Sequence, residues 1–223
     1  NQAARAIVFN GAASANSTGV TVSNNLVGDQ ATLAGVPPYI APTTTVYTKG
    51  VWINGTNAIT ISGNSIKSIL SYVPTAMTGI ELVSAIGSGT INISNNTVNG
   101  VVTNSVAGTS SVYGMLISSA GGPYTISGNT VSNVQLVSTS FTPRPRGISV
   151  GTAATSGTIE KNNVSTIYNR SSGTGGVAGI ELTSGNNITV RNNFVSDVNQ
   201  NMTGGAAFST TFGTMGLRVA AGT

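Results

Sequence analysis

An eleven-residue segment returns at near-constant intervals along the chain, and this repeat limits the possible folds more than any other feature. ITISGNSIKSI at 59–69 recurs as INISNNTVNGV at 91–101, YTISGNTVSNV at 124–134 and ITVRNNFVSDV at 188–198. Weaker copies are GTIEKNNVSTI at 157–167 and VTVSNNLVGDQ at 20–30. The shared pattern is apolar, any, apolar, two residues, Asn, any, apolar, two residues, apolar. Its asparagines are Asn25, Asn64, Asn96, Asn129, Asn162 and Asn193, spaced by 39, 32, 33, 33 and 31 residues.

A second motif of Gly, apolar, any, apolar accompanies each copy: GVWI at 50–53, GIEL at 79–82, GMLI at 114–117, GISV at 147–150, GIEL at 179–182 and GLRV at 216–219. AIVF at 6–9 reads as a first, glycine-free member. Alternation of apolar and polar residues over such short runs is the signature of half-buried strands. A repeat of this length cannot bury a core alone and must stack on its neighbours. The expectation is therefore an all-β chain, a right-handed parallel β-helix of about six coils of 31–39 residues, forming a single domain over residues 1–223. With coils about 4.8 Å apart, such a body stands roughly 25–30 Å tall.

The residue before each aligned asparagine is Asn24, Gly63, Asn95, Gly128, Lys161 or Asn192. Gly and Asn enter the left-handed backbone region most cheaply, so a sharp corner is expected there, with Lys161 the departure. The asparagine that follows is expected to point inward and bond to its counterpart one coil away, giving a ladder in which each amide satisfies the next. This makes the asparagines structural. A leucine-rich repeat has a comparable Asn pattern. However, its unit is 20–29 residues with one strand, against 31–39 with an extra strand motif here, and Ile and Val rather than Leu fill the core positions.

Composition narrows the chemistry. The 223 residues include no Cys and no His, which removes thiolate and imidazole ligands, disulfides and a His base. Charged residues make up 6%, against roughly 25% in ordinary soluble domains. The nine cations are scattered apart from Arg144 and Arg146, which argues against a nucleic-acid partner. No apolar run approaches the roughly 20 residues of a membrane span. The chain begins with Asn1 and neither end reads as a cap, so continuation in a longer chain or end-to-end assembly is expected.

The order strand, turn, strand, Asn corner, strand, loop resembles the right-handed parallel β-helix of the pectin-lyase-like superfamily, over about residues 6–219. The low charge and the phrasing NNFVSDV at 192–198 are similar to segments of very large secreted surface proteins of Bacteroidota. Many superfamily members are polysaccharide lyases or hydrolases, and the resemblance implies a site on the outward residues of the Gly-led strand and its adjoining loops. Those outward residues are expected to be Val8, Trp52, Glu81, Leu116, Ser149, Glu181 and Arg218.

No catalytic constellation stands in that row. Glu81 and Glu181 lie three coils apart, roughly 14 Å at the strand spacing, whereas a glycosidase pair needs about 5–10 Å. Glu181 beside Arg218 reads as a surface ion pair of little energetic weight. Asp29, Glu160 and Asp197 are dispersed on another face, so no metal site and no cofactor is implied. Aromatic residues in the variable loops mark a candidate ligand-binding flank of Trp52, Glu81, Tyr39, Tyr47 and Tyr113, suited to a polysaccharide or a cell-surface protein partner. The leading expectation is a non-catalytic structural or adhesive module of a secreted or cell-surface protein. The alternative is a carbohydrate-active enzyme whose active residues lie elsewhere. An ice-binding face is disfavoured by the irregular threonines.

Overall fold

The computed structural model describes residues 5–11, 19–28, 39–40, 48–56, 58–71, 76–85, 89–103, 111–118, 122–137, 144–151, 156–170, 175–200 and 213–220. All regular elements among them are strands. In chain order they begin with β1 (Arg5–Asn10), β2 (Val20–Ser23), β3 (Leu26–Gly28) and the two-residue β4 (Tyr39–Ile40). Next come β5 (Thr48–Thr56), β6 (Ile59–Ser62), β7 (Ser65–Ser71), β8 (Met77–Ala85), β9 (Ile91–Ser94) and β10 (Thr97–Thr103). The third group is β11 (Val112–Ile117), β12 (Tyr124–Ser127), β13 (Thr130–Leu136), β14 (Arg146–Gly151), β15 (Gly157–Glu160) and β16 (Asn163–Asn169). β17 (Val177–Ser184), β18 (Ile188–Arg191), β19 (Phe194–Gln200) and β20 (Thr214–Val219) complete the series.

These strands form three parallel sheets. The first runs β1-β5-β8-β11-β14-β17-β20, the second β2-β6-β9-β12-β15-β18, and the third β3-β7-β10-β13-β16-β19, with β4 also on β7. Neighbouring strands in a sheet belong to successive repeats, which is the parallel β-helix expected from the motif spacing. The expected coil number needs correction: the complete body amounts to about four turns rather than six. The reason is burial. Ile180 and Leu182 on β17 are 1% and 4% exposed, while their partners Leu217 and Val219 on β20 are 50% and 60% exposed. Val190, Val195 and Val198 on β18 and β19 are likewise only partly buried.

The corners explain how the chain turns so tightly. Asn24, Gly63, Asn95, Gly128, Lys161 and Asn192 all have φ between 54° and 64°, so the left-handed column includes the departing Lys161. Behind it the ladder is continuous. Each Nδ2 donates to the Oδ1 of the next asparagine, at 2.8 Å for Asn25 to Asn64 and 2.9 Å for Asn64 to Asn96. The steps from Asn96 to Asn129, Asn129 to Asn162 and Asn162 to Asn193 measure 3.0, 2.9 and 2.9 Å. The same Oδ1 also accepts the backbone N–H of the preceding asparagine, and the second Nδ2 hydrogen reaches a strand carbonyl one turn back. An inner asparagine thus uses its whole hydrogen-bonding capacity, which is what permits its burial.

A second left-handed column was not anticipated. It stands four residues after the ladder asparagine of the later turns, at Ser68, Gly100, Asn133, Thr166 and Asp197, with φ from 51° to 85°. This corner bends the third sheet so that both halves of each strand turn inward: Val98 and Val101 are both fully buried, as are Val131 and Val134.

The glycine leading each strand of the first sheet answers to space rather than to backbone angle. A Cβ on Gly114 would lie 2.2 Å from Val131 Cγ1 and 2.6 Å from the carbonyl oxygen of Gly147 on the next turn. Side chain and backbone both close on this point, so only glycine lets the corner pack.

Candidate functional site

The expected outward row of the first sheet is in register. Val8 pairs Trp52, Trp52 pairs Glu81, and Glu81 pairs Leu116. Leu116 pairs Ser149, Ser149 pairs Glu181, and Glu181 pairs Arg218. Outward orientation does not mean exposure here. Trp52, Glu81, Ser149 and Glu181 are all buried.

Both carboxylates in the row are held by cations. Glu81 accepts a hydrogen bond from the Lys49 ammonium, with both side chains under 10% exposed. Glu181 Oε2 accepts from Arg146 Nε, Oε1 accepts from an Arg218 guanidinium nitrogen, and Ser149 Oγ lies 3.4 Å from Oε2. The expected surface pair of Glu181 with Arg218 is therefore a buried three-residue cluster. In each case a cation stands just before the motif glycine, on the strand preceding that of the glutamate: Lys49 before Gly50 and Arg146 before Gly147. That offset was the signal available in the sequence. Burial alone would raise the Glu181 pKa, but the hydrogen bonds and charges of Arg146 and Arg218 outweigh it and hold the carboxyl below its ordinary range. A carboxylate kept ionised and bonded on both oxygens is poorly suited to donate a proton as a general acid.

The residues of the candidate flank are spread over the molecule. Tyr113 is half-buried, its ring 5.9 Å from the Arg146 guanidinium carbon. Tyr39 lies in β4, which pairs with β7 in the third sheet rather than with the Trp52 strand. Tyr47 lies outside the described residues.

A concavity among the described residues lies elsewhere. A cleft of about 430 Å³ is lined by Tyr168, Asn169, Arg170, Asn199 and Gln200, at the ends of β16 and β19. Tyr168 lies in β16, paired with Asn199, while Asn169 pairs with Gln200. The Arg170 guanidinium carbon sits 5.1 Å from the Tyr168 ring centre, a cation–π arrangement. The Tyr168 hydroxyl donates to the Asp197 carboxylate, and that bond raises the phenol pKa. Asn169 Nδ2 and Gln200 Nε2 both donate to the Gly175 carbonyl, the first at 2.7 Å. This arrangement leaves Gln200 Oε1 buried without a hydrogen-bond donor among the described residues. The lining thus combines an aromatic face, a guanidinium and amides, the groups that meet a polyhydroxylated ligand by stacking and hydrogen bonding. Nothing in the periodic motif singles out these residues.

Among the described residues no three His, Cys, Asp or Glu side chains are grouped to hold a metal, and no helix is long and apolar enough to cross a membrane. No family model, curated protein or solved structure matches the chain.

Proposed function

We propose that this chain is a non-catalytic structural or adhesive β-helix module of a secreted or cell-surface protein, with a glycan-binding cleft at Tyr168. The cleft lining carries the reading: it pairs a stacked Tyr168–Arg170 platform with the amides of Asn169, Asn199 and Gln200 and an open Gln200 acceptor. Its volume lies within the range of small-ligand sites, roughly 300–1,000 Å³. The non-catalytic part is supported by charge, since Glu81 and Glu181 stand three strands apart and each is locked to a cation. Glu160 is paired with Arg191 at 2.7 Å, and Asp197 is engaged by Tyr168. The extracellular part rests on the sparse charge, the Ser, Thr and Asn content and a coil motif that resembles that of pectin-lyase-like proteins.

A glycan array probed with the chain and with Tyr168→Ala, followed by a reducing-end assay on every glycan bound, tests this reading. Binding that falls at least tenfold in Tyr168→Ala, with no new reducing ends or unsaturated sugar ends, is expected. Cleavage of a bound polysaccharide would overturn the non-catalytic assignment. Binding indifferent to Tyr168→Ala but lost in Trp52→Ala would move the site to the first sheet.

A further inference from the structure

The asparagine ladder has a direction, so the two ends of the solenoid leave different groups unbonded. At every step the asparagine of one turn donates its backbone N–H to the Oδ1 of the asparagine on the following turn. Its Nδ2 donates to the same oxygen. The series therefore opens on an acceptor and closes on donors. Among the described residues Asn25 Oδ1 receives no hydrogen bond, and the Asn193 backbone N–H makes none. Asn193 Nδ2 reaches only the carbonyls of Ile159 and Arg191. The corner backbone follows the same rule. The residue before each asparagine donates to a carbonyl on the following turn, from Asn24 to Ser62 and onward to the step from Lys161 to Arg191. The residue after each asparagine donates in the other sense, from Ser65 to Asn25 and onward to the step from Phe194 to Asn162. The members of these series with no described turn beyond them are Asn192 N–H and the Asn193 carbonyl at one end, and the Ser23 carbonyl and Leu26 N–H at the other.

Side chains mark the same two ends. One register column of the third sheet runs Leu26, Ser65, Thr97, Thr130, Asn163 and Phe194. Its four inner members are polar, and its two end members are large and apolar, at 73% and 64% exposed. On the first sheet Leu217 and Val219 are exposed at one end, while Val8 is exposed and Ile7 and Phe9 are half-buried at the other. The open edges also match in length: β20 and β18 have 6 and 4 residues, as do β1 and β2.

We propose that the β19 end of one chain binds the β3 end of a second copy, so that the sheets and the ladder run on across the junction. Asn193 N–H and Nδ2 donate to Asn25 Oδ1 of the second copy, Asn192 N–H to its Ser23 carbonyl, and its Leu26 N–H to the Asn193 carbonyl. Parallel pairing at about 4.8 Å then sets Phe194 against Leu26 of the second copy. Partial positive charge on N–H groups meets partial negative charge on oxygens at each of these points, and both ends satisfy their backbone groups. Open strand edges pair with many chains. An unrelated strand, however, would not meet the Asn25 amide and Phe194 together, so the complementarity selects a second copy. Each junction joins unlike ends and leaves one end free on both chains, so assembly is an open row rather than a closed dimer.

Sedimentation velocity of the chain at rising concentration tests the junction. The expected mass climbs from 22.3 kDa to beyond twice that value. Phe194→Lys and Leu26→Lys, both at exposed positions, should each remain monomeric at the same concentrations. An equimolar mixture of the two should form a dimer that grows no further, because each variant contributes one intact end. That recovery also shows that both variants fold. Cross-linking reads the polarity without touching the apolar contact. Thr21 and Thr189 are the end members of one column on the second sheet, which runs through Thr60, Asn92, Thr125 and Thr158. Under mild oxidation, Thr189→Cys chains mixed with Thr21→Cys chains should cross-link to each other in preference to themselves. A chain that stays monomeric, association unchanged in Phe194→Lys, or preferential cross-linking of Thr189→Cys to itself would overturn the proposal.

Discussion

Gly157 lies against the ring of Tyr124: the two are register partners in the second sheet, and a Cβ on Gly157 would fall 2.1 Å from Tyr124 Cζ. The bulk of one residue thus fixes the smallness of the other. Gly157→Ala should cost about 1–3 kcal/mol through overpacking. In a Tyr124→Val background most of that cost should vanish, and a denaturation double-mutant cycle measures the coupling. Among the described residues the Tyr124 hydroxyl is buried without a partner, and burial raises its pKa. Tyr124→Phe should therefore stabilise the fold, by about 1 kcal/mol, since it removes an unsatisfied polar group.

The ladder gives a graded expectation. Asn96→Ala removes the acceptor for both the backbone N–H and the Nδ2 of Asn64, and it takes one donor each from the Ile61 carbonyl and Asn129 Oδ1. Leaving buried amide groups unpaired costs about 1–3 kcal/mol each, so the loss should exceed about 3 kcal/mol. Asn25 lies at the end of the ladder and is part-buried. Asn25→Ala should cost clearly less by the same chemical denaturation measurement.

Thr166 has φ of 57° in the second corner column. A left-handed backbone costs a residue with a Cβ about 1–2 kcal/mol, and more so a β-branched one. Thr166→Gly should raise stability, by about 1 kcal/mol after the entropy of glycine is set against it. A lower unfolding midpoint for this variant would show that the Thr side chain packs better than its backbone suggests.

Acid should act through Glu181. Its folded pKa lies below the ordinary value of 4.5, since Arg146 and Arg218 outweigh the effect of burial. A depressed carboxyl pKa contributes stability that is present above the unfolded pKa and is lost as pH falls through the folded one. Glu181→Gln should be less stable than the unsubstituted chain at neutral pH, because two guanidinium groups lose their counter-charge. The gap in unfolding midpoint should narrow as pH is lowered from about 7 to about 3.

The outward row from Val8 to Arg218 could be read strand by strand, because a period-two pattern anchored on glycine leaves one choice of face. The first corner column was legible at five of its six positions, and Lys161, the departure by residue type, takes the same angle because position in the repeat overrides residue type. The second column was hidden: Ser68, Gly100, Asn133, Thr166 and Asp197 share a backbone angle but no chemistry. The site was the least legible part. Periodicity shows which way Trp52 and Glu81 point, but not that both are buried. The Tyr168 cleft arises from one pair of neighbouring strands, which a repeat averages away.

Everything above depends on which residues stand opposite one another, and the absence of cysteine makes that directly measurable. Thr125 and Thr158 are register partners on adjacent strands of the second sheet. Parallel neighbours sit about 4.8 Å apart, within the span of a disulfide. Under mild oxidation, Thr125→Cys with Thr158→Cys should cross-link nearly completely. Thr125→Cys with Glu160→Cys, two residues further on and about 8 Å away, should stay largely reduced. Cross-linking of the second pair in preference to the first would contradict the register, and with it the ladder and the cleft.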